Sequence, residues 1–162
     1  MKKYQSLISR ARIKRLKVQG YSNYSDEMIS ELAFGNRFAY GLCSAILLIG
    51  VILANIPLLA IMMIIALFGV ILPYHPFDYI YNYLIRGMIN KPKLTRRSKQ
   101  LKFACGIATI WIAAVIYLFY AGFALAGYIA GGVLSFVAIL VSTTDICIPS
   151  IIFNFLFKVK TK

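Results

Sequence analysis

Residues 38–72 form a run of thirty-five residues without a charged side chain. Ser44 and Asn55 interrupt it, and Tyr40 lies near its start. Residues 103–142 form a second uncharged run. A spanning helix needs roughly 20 apolar residues to cross about 30 Å of hydrocarbon, so each run suits two crossings joined by a tight turn. In hydrocarbon every backbone polar group must bond internally, which favours helical hairpins. The sequence therefore predicts an all-α integral membrane protein. It has four transmembrane helices, arranged as two parallel repeated hairpins, with short interfacial helices.

The turns are readable. In the first run Asn55-Ile56-Pro57 marks it. Asn tolerates turn geometry, and Pro at a helix start sacrifices no hydrogen bond. In the second run the turn falls at Ala121-Gly122-Phe123. The expected crossings are 38–54, 57–72, 103–120 and 124–143.

The formal charge is +13 over 162 residues. In a soluble protein that balance would suggest nucleic acid. Here Lys and Arg gather at 2–37, 86–102 and 158–162, and none lies in either turn. Four crossings put all three clusters on one side, which the positive-inside rule makes cytoplasmic. Both termini are then cytoplasmic, and no nucleic-acid partner is expected. The polar, basic start shows no apolar core of a signal peptide.

The chain divides into a basic N-terminal cytoplasmic or interfacial region at 1–35, a four-helix transmembrane domain at 36–158, and a basic tail at 159–162. Tyr4, Leu7, Ile8 and Ala11 fall at helical spacing among basic residues, and Gly20 ends that helix. It reads as an interfacial helix on anionic lipid or as a solvated arm. Ser25 is placed to cap a second helix reaching Phe34, with Gly35-Asn36 as a hinge into the first crossing.

The two halves, 37–86 and 102–158, resemble each other. Arg37-Phe38-Ala39-Tyr40-Gly41-Leu42 aligns with Lys102-Phe103-Ala104-Cys105-Gly106-Ile107. Ile80-Tyr81-Asn82-Tyr83-Leu84-Ile85-Arg86 aligns with Ile152-Phe153-Asn154-Phe155-Leu156-Phe157-Lys158. Both halves enter from the same side, so the repeats are parallel. The alignment sets His75 opposite Cys147. In the fourth crossing Gly127, Gly131 and Ser135 form a small-residue face for a partner helix, within the monomer or across a homodimer seam. Trp111 reads as a packing residue.

One His and five acids leave little room for enzyme machinery, and no phosphate loop, HExxH or CxxC is present. No metal and no cofactor are expected. The candidate binding residues are Tyr74, His75, Asp78, Asp145 and Cys147, at the cytoplasmic ends of the second and fourth crossings. Tyr74, His75, Asp145 and Cys147 are expected to line a shallow cytoplasmic pocket. Asp145 follows Ser142-Thr143-Thr144 at the membrane boundary, where a partly buried acid is costly and often functional. Its alternative is a helix-end carboxylate paired with a linker cation. Cys147 and His75 are the candidate chemical groups, although a nearby carboxylate raises a thiol pKa. Cys43 and Cys105 read as packing residues.

Asn36 with Gly41, Pro73-Tyr74-His75-Pro76, the Phe103-Ala104 entry and Cys147 together resemble a bacterial membrane family known as domain of unknown function 4395. The resemblance covers roughly residues 36 to 157. It implies a four-span protein of the bacterial inner membrane, with some members linked to thiol or sulfur handling. In many members the last motif resembles two cysteines separated by two residues. Here Ser150 takes the second place, which leaves a single-thiol relay through Cys147.

Three functions are compatible with these features. The leading one is a non-enzymatic accessory or assembly subunit that packs with itself or a membrane partner. The second is a thiol-redox or sulfur-relay protein using Cys147 with His75 as proton partner. The third is a small-solute transporter working as a dimer.

Overall fold

The computed structural model describes residues 9–159, and every regular element in them is helical. Tyr4, Leu7 and Ile8, on the expected basic helix, lie outside the described residues. So does the tail beyond Val159.

Helix α1 (Arg10–Leu16) begins at Ser9, whose hydroxyl accepts from the Arg12 N–H. One wide turn at Lys17–Tyr21 follows, where Gly20 adopts φ +100. A Cβ at Gly20 would lie 2.4 Å from the Ser98 Cβ, so glycine serves both the backbone and the close approach.

Helix α2 (Asp26–Ile52) is capped by Ser25 and carries Asp26 and Glu27 in its first turn, where the helix dipole favours them. It runs straight through Gly35-Asn36, so the expected hinge is absent. A mid-helix glycine costs about 1 kcal/mol against alanine. Packing offsets this: the Tyr81 ring lies where a Gly35 Cβ would stand, at 2.6 Å. The Asn36 side chain is tied down by Gln19 and Tyr21.

The first hairpin turn lies where the sequence put it. Asn55 caps α3 (Ile56–Ile71), accepting from the Leu58 N–H at 2.9 Å. After Pro73-Tyr74-His75 the chain bends and continues as α4 (Pro76–Ile80), another wide turn at Tyr81–Ile85, and α5 (Arg86–Ile89). Ser98 caps α6 (Lys99–Tyr120), and Gly122 at φ +81 turns the chain into α7 (Ala124–Thr144). A short break leads to α8 (Ile148–Leu156).

Among the described residues α2, α6 and α7 are long and apolar enough to cross a membrane. Helix α3 joins them if it is taken with Pro76–Ile89, from which it is bent by 79°. Across the bundle α3 packs chiefly on α6, and α2 on α7. Leu47, Val51, Leu59, Met62, Ile112, Val115 and Leu134 fill the centre. A second core at one end gathers Ile13, Leu16, Tyr21, Ile29, Tyr81, Leu94 and Leu101. Helix α1 thus packs on the bundle through its apolar side, leaving Arg10 and Lys14 outward.

Candidate functional site

Two buried carboxylates organise the end of the bundle that carries α1, α4 and α8. Asp145 ends α7 in the left-handed conformation, φ +59, which Asp tolerates better than most residues. Its carboxylate accepts from Arg12 Nε at 2.6 Å and from Arg37 Nε at 3.1 Å and Nη2 at 2.9 Å. Its carbonyl accepts from Gln19 Nε2 at 2.8 Å. The last carbonyls of α7, which lack intrahelical donors, are met by arginines. Thr143 O accepts from Arg37, and Thr144 O from Arg15 at 2.8 Å. Asp145 therefore pairs with the N-terminal region and α2, whereas the expectation placed a linker cation beside it.

The linker does supply a cation, but to Asp78. Arg97 donates from Nε and Nη2 to the two Asp78 oxygens, both at 2.6 Å. This two-pronged geometry is the strongest form of the pair. Its Nη1 donates to the Tyr40 hydroxyl at 3.3 Å, and its guanidinium carbon stands 5.2 Å from the Tyr40 ring centre. Burial opposes the Arg97 charge, but Asp78 outweighs it and raises the guanidinium pKa well above its ordinary value. Removing either partner would strand a buried charge, a loss of about 3–5 kcal/mol.

His75 caps α4. Its Nδ1 accepts from the Phe77 N–H at 3.3 Å, while its own N–H donates to Asp78 Oδ2 at 3.0 Å. Burial, then Arg97, lowers the imidazole pKa to about 4 against the pull of Asp78. The ring is therefore neutral at pH 7. With Nδ1 accepting, the ring proton belongs on Nε2, which lies 3.8 Å from Cys43 Sγ. His75 is thus a donor toward sulfur, with no free lone pair on that side. Gly69 makes room for it. A Cβ there would lie 2.7 Å from His75 Cδ2 and 2.9 Å from Cys105 Sγ. Imidazole and thiol converge over one bare spot on α3.

Cys147 stands at the start of α8. The Ser150 hydroxyl donates to its sulfur at 3.1 Å. Burial raises the Cys147 pKa, while the Ser150 hydrogen bonds and Arg97 pull it down less strongly.

These groups meet in a cavity of about 230 Å³. Cys43, Cys105, Cys147, His75, Arg97 and Tyr40 line it, with apolar side chains of α2, α3, α6, α7 and α8. Of the residues singled out in the sequence, His75 and Cys147 share it. Asp78 stands behind Arg97, and Asp145 is held by its own arginines. Tyr74 packs edge-on against Tyr79 at 5.6 Å, with the Lys93 ammonium 5.6 Å over its ring. Neither these two acids nor Tyr74 lines the cavity. Reading the sequence missed Tyr40, Cys43, Arg97 and Cys105. The available signal was the alignment of the two halves, which sets Tyr40 opposite Cys105. Arg97 carried none, because it is one cation among several in a basic linker. Among the described residues no group of three or more His, Cys, Asp or Glu is arranged to hold a metal ion.

The small-residue face of α7 meets this chain's own helices. A Cβ at Gly131 would lie 2.7 Å from a Val51 methyl of α2, and one at Gly127 would lie 2.8 Å from the Phe119 ring of α6. Ser135 is buried on the same side.

Residues 34–158 match the family model described as domain of unknown function, DUF4395. The chain belongs to the DUF4395 family. No curated protein and no solved structure matches it. The matched segment of this DUF4395 chain holds α3 to α8 whole and α2 from Phe34 onward, and with them every residue that lines the cavity.

Proposed function

We propose that this DUF4395 chain is an integral membrane protein of the bacterial inner membrane that relays sulfur through Cys147. The observation that carries the reading is the shared cavity: all three thiols, His75 and Arg97 border one small, otherwise apolar space. A subunit working by packing alone has no need of that convergence.

The membrane part of the proposal rests on the apolar helices. Three qualify as crossings by length and composition, and the bent fourth completes two hairpins. With four crossings, the basic clusters share one side, which is cytoplasmic by the positive-inside rule. Several features support two parallel hairpin repeats. The pairing of α2 with α7 and of α3 with α6 is what a twofold relation between hairpins requires. Tyr40 and Cys105, Leu47 and Ile112, and His75 and Cys147 occupy the cavity as aligned pairs. Each half turns into its last helix at an aligned residue with a polar contact three residues on, His75 to Asp78 and Cys147 to Ser150.

In the relay, the Cys147 sulfur attacks the outer sulfur of a persulfide, R–S–SH. The S–S bond of the donor breaks, a new S–S bond forms on Cys147, and the departing R–S takes the proton that Cys147 gave up. The chain then carries a persulfide, and no net oxidation occurs. The Ser150 hydroxyl steadies developing negative charge on the sulfur, as a hydrogen bond to the charged form does. Arg97 adds a fixed positive charge at the cavity wall. His75 contributes a donor at Nε2 and is not the base, since its lone pair at Nδ1 is engaged.

The test is intact-protein mass spectrometry after exposure to a small persulfide. We expect a gain of one sulfur atom in a variant retaining only Cys147, removable by a thiol reductant. The same chain with Cys147→Ser should gain none. Uptake that is unaffected by Cys147→Ser would end the relay reading.

A further inference from the structure

The cavity is closed on one side and open on another, and the residues at its mouth say what enters. Its back wall is made by α2 and α3: Ala39, Leu47, Met62 and Ala66 are all buried there. Its exposed lining residues come from the other elements. They are Trp111 on α6, Val133 on α7, and Ile148 and Ile152 on α8, 39%, 47%, 40% and 42% exposed respectively. The mouth therefore lies among α6, α7 and α8. Every side chain of this rim is apolar or aromatic, and α6 and α7 are two of the helices long and apolar enough to cross a membrane.

A mouth leading to water would carry polar rim groups. In the four-crossing arrangement this one faces hydrocarbon. The rim is also held in shape. Trp111 Nε1 donates to the Ala130 carbonyl at 3.0 Å, bridging α6 and α7 beside Val133. The polar groups of the cavity, Arg97, His75 and Tyr40, belong to the far wall and are already engaged with Asp78, Phe77 and one another.

We infer that the cavity takes its ligand sideways from the bilayer, and that the persulfide which reacts at Cys147 is a small, apolar, membrane-dissolved molecule rather than a water-soluble one. This rests on the relay reading above and adds the route and the class of substrate. The cavity is small beside the roughly 300–1,000 Å³ of drug-sized ligand sites. Its occupant is then one short apolar body, with its sulfur directed toward Cys147. A whole phospholipid does not fit.

Two thiol reagents of opposite character test this. The protein, with Cys43→Ala and Cys105→Ala so that Cys147 is the one thiol, is placed in lipid vesicles. It is treated with a maleimide bearing a short alkyl chain, or with a sulfonated maleimide applied to both sides. Because a charged group is expelled from hydrocarbon, the alkyl reagent should label Cys147 at least about tenfold faster. Val133→Trp narrows the mouth at an exposed position that the fold does not need, and should slow the alkyl reagent severalfold. Equal rates for the two reagents, or an alkyl rate untouched by Val133→Trp, would overturn the lateral route and leave the relay standing. A Cys147 that neither reagent labels in the folded protein, while both label it after denaturation, would remove the relay and the route together.

Discussion

At the scale of single residues, Cys147 shows how burial and hydrogen bonding oppose each other. An apolar cavity disfavours the thiolate, and the Ser150 hydroxyl favours it at 3.1 Å. Burial wins, so the thiol titrates above the ordinary value of about 8.5. The thiolate is the reacting form. Alkylation of Cys147 should therefore quicken with rising pH and keep quickening beyond the midpoint of an ordinary thiol. Ser150→Ala removes one favourable contact from the charged form, so the midpoint should move higher and the rate at pH 7 should fall. A rate profile that Ser150→Ala leaves in place would mean the hydroxyl does not act on the sulfur. The sequence pointed to Cys147 and His75 because both stand beside prolines at breaks in apolar runs. Residue type alone could not reveal that Cys43 and Cys105 share their cavity. A small residue in an apolar helix looks the same whether it faces a neighbour or a void.

At the scale of elements, helix pairs are set by small residues and by arginine at helix ends. Gly131 was legible as a packing position from its four-residue spacing to Gly127 and Ser135. Its partner was not, because a small-residue stripe carries no address. The structure gives Val51. Gly131→Leu must push α2 and α7 apart, and overpacking of this kind costs about 1–3 kcal/mol. Gly132, the next residue, has open space where its Cβ would go. Thermal unfolding in detergent should fall clearly for Gly131→Leu and little for Gly132→Leu. Equal effects would mean that neither glycine is set against α2. The run of α2 through Gly35-Asn36 was misread for a related reason. Gly and Asn are local breakers, but here the Tyr81 ring, forty-six positions on in sequence, fills the space that the glycine leaves. A tertiary contact overrides the local preference. The docking of α1 was equally hidden. Its arginines read as lipid ligands or as part of a solvated arm, and two of them bond the end of α7.

At the scale of the whole molecule, hydropathy and charge carried most of the architecture. The Asn55 and Gly122 turns and the helix break before Pro76 coincide with the observed element ends, whereas the first crossing helix begins at Asp26, well before its uncharged run. The proposed four crossings give the rest its meaning: under them the exposed apolar rim is a mouth into lipid and the basic end is the cytoplasmic face. That claim is tested most directly by mapping sidedness in intact cells, with a cysteine-free chain given one new cysteine at a time and treated with an impermeant maleimide. Asn55→Cys and Gly122→Cys should label from outside, and Arg96→Cys, exposed in the linker, should label only once the membrane is opened. Labelling of Arg96→Cys in intact cells, or none at the two turns even with the reagent in excess, would contradict four crossings with the basic end inside.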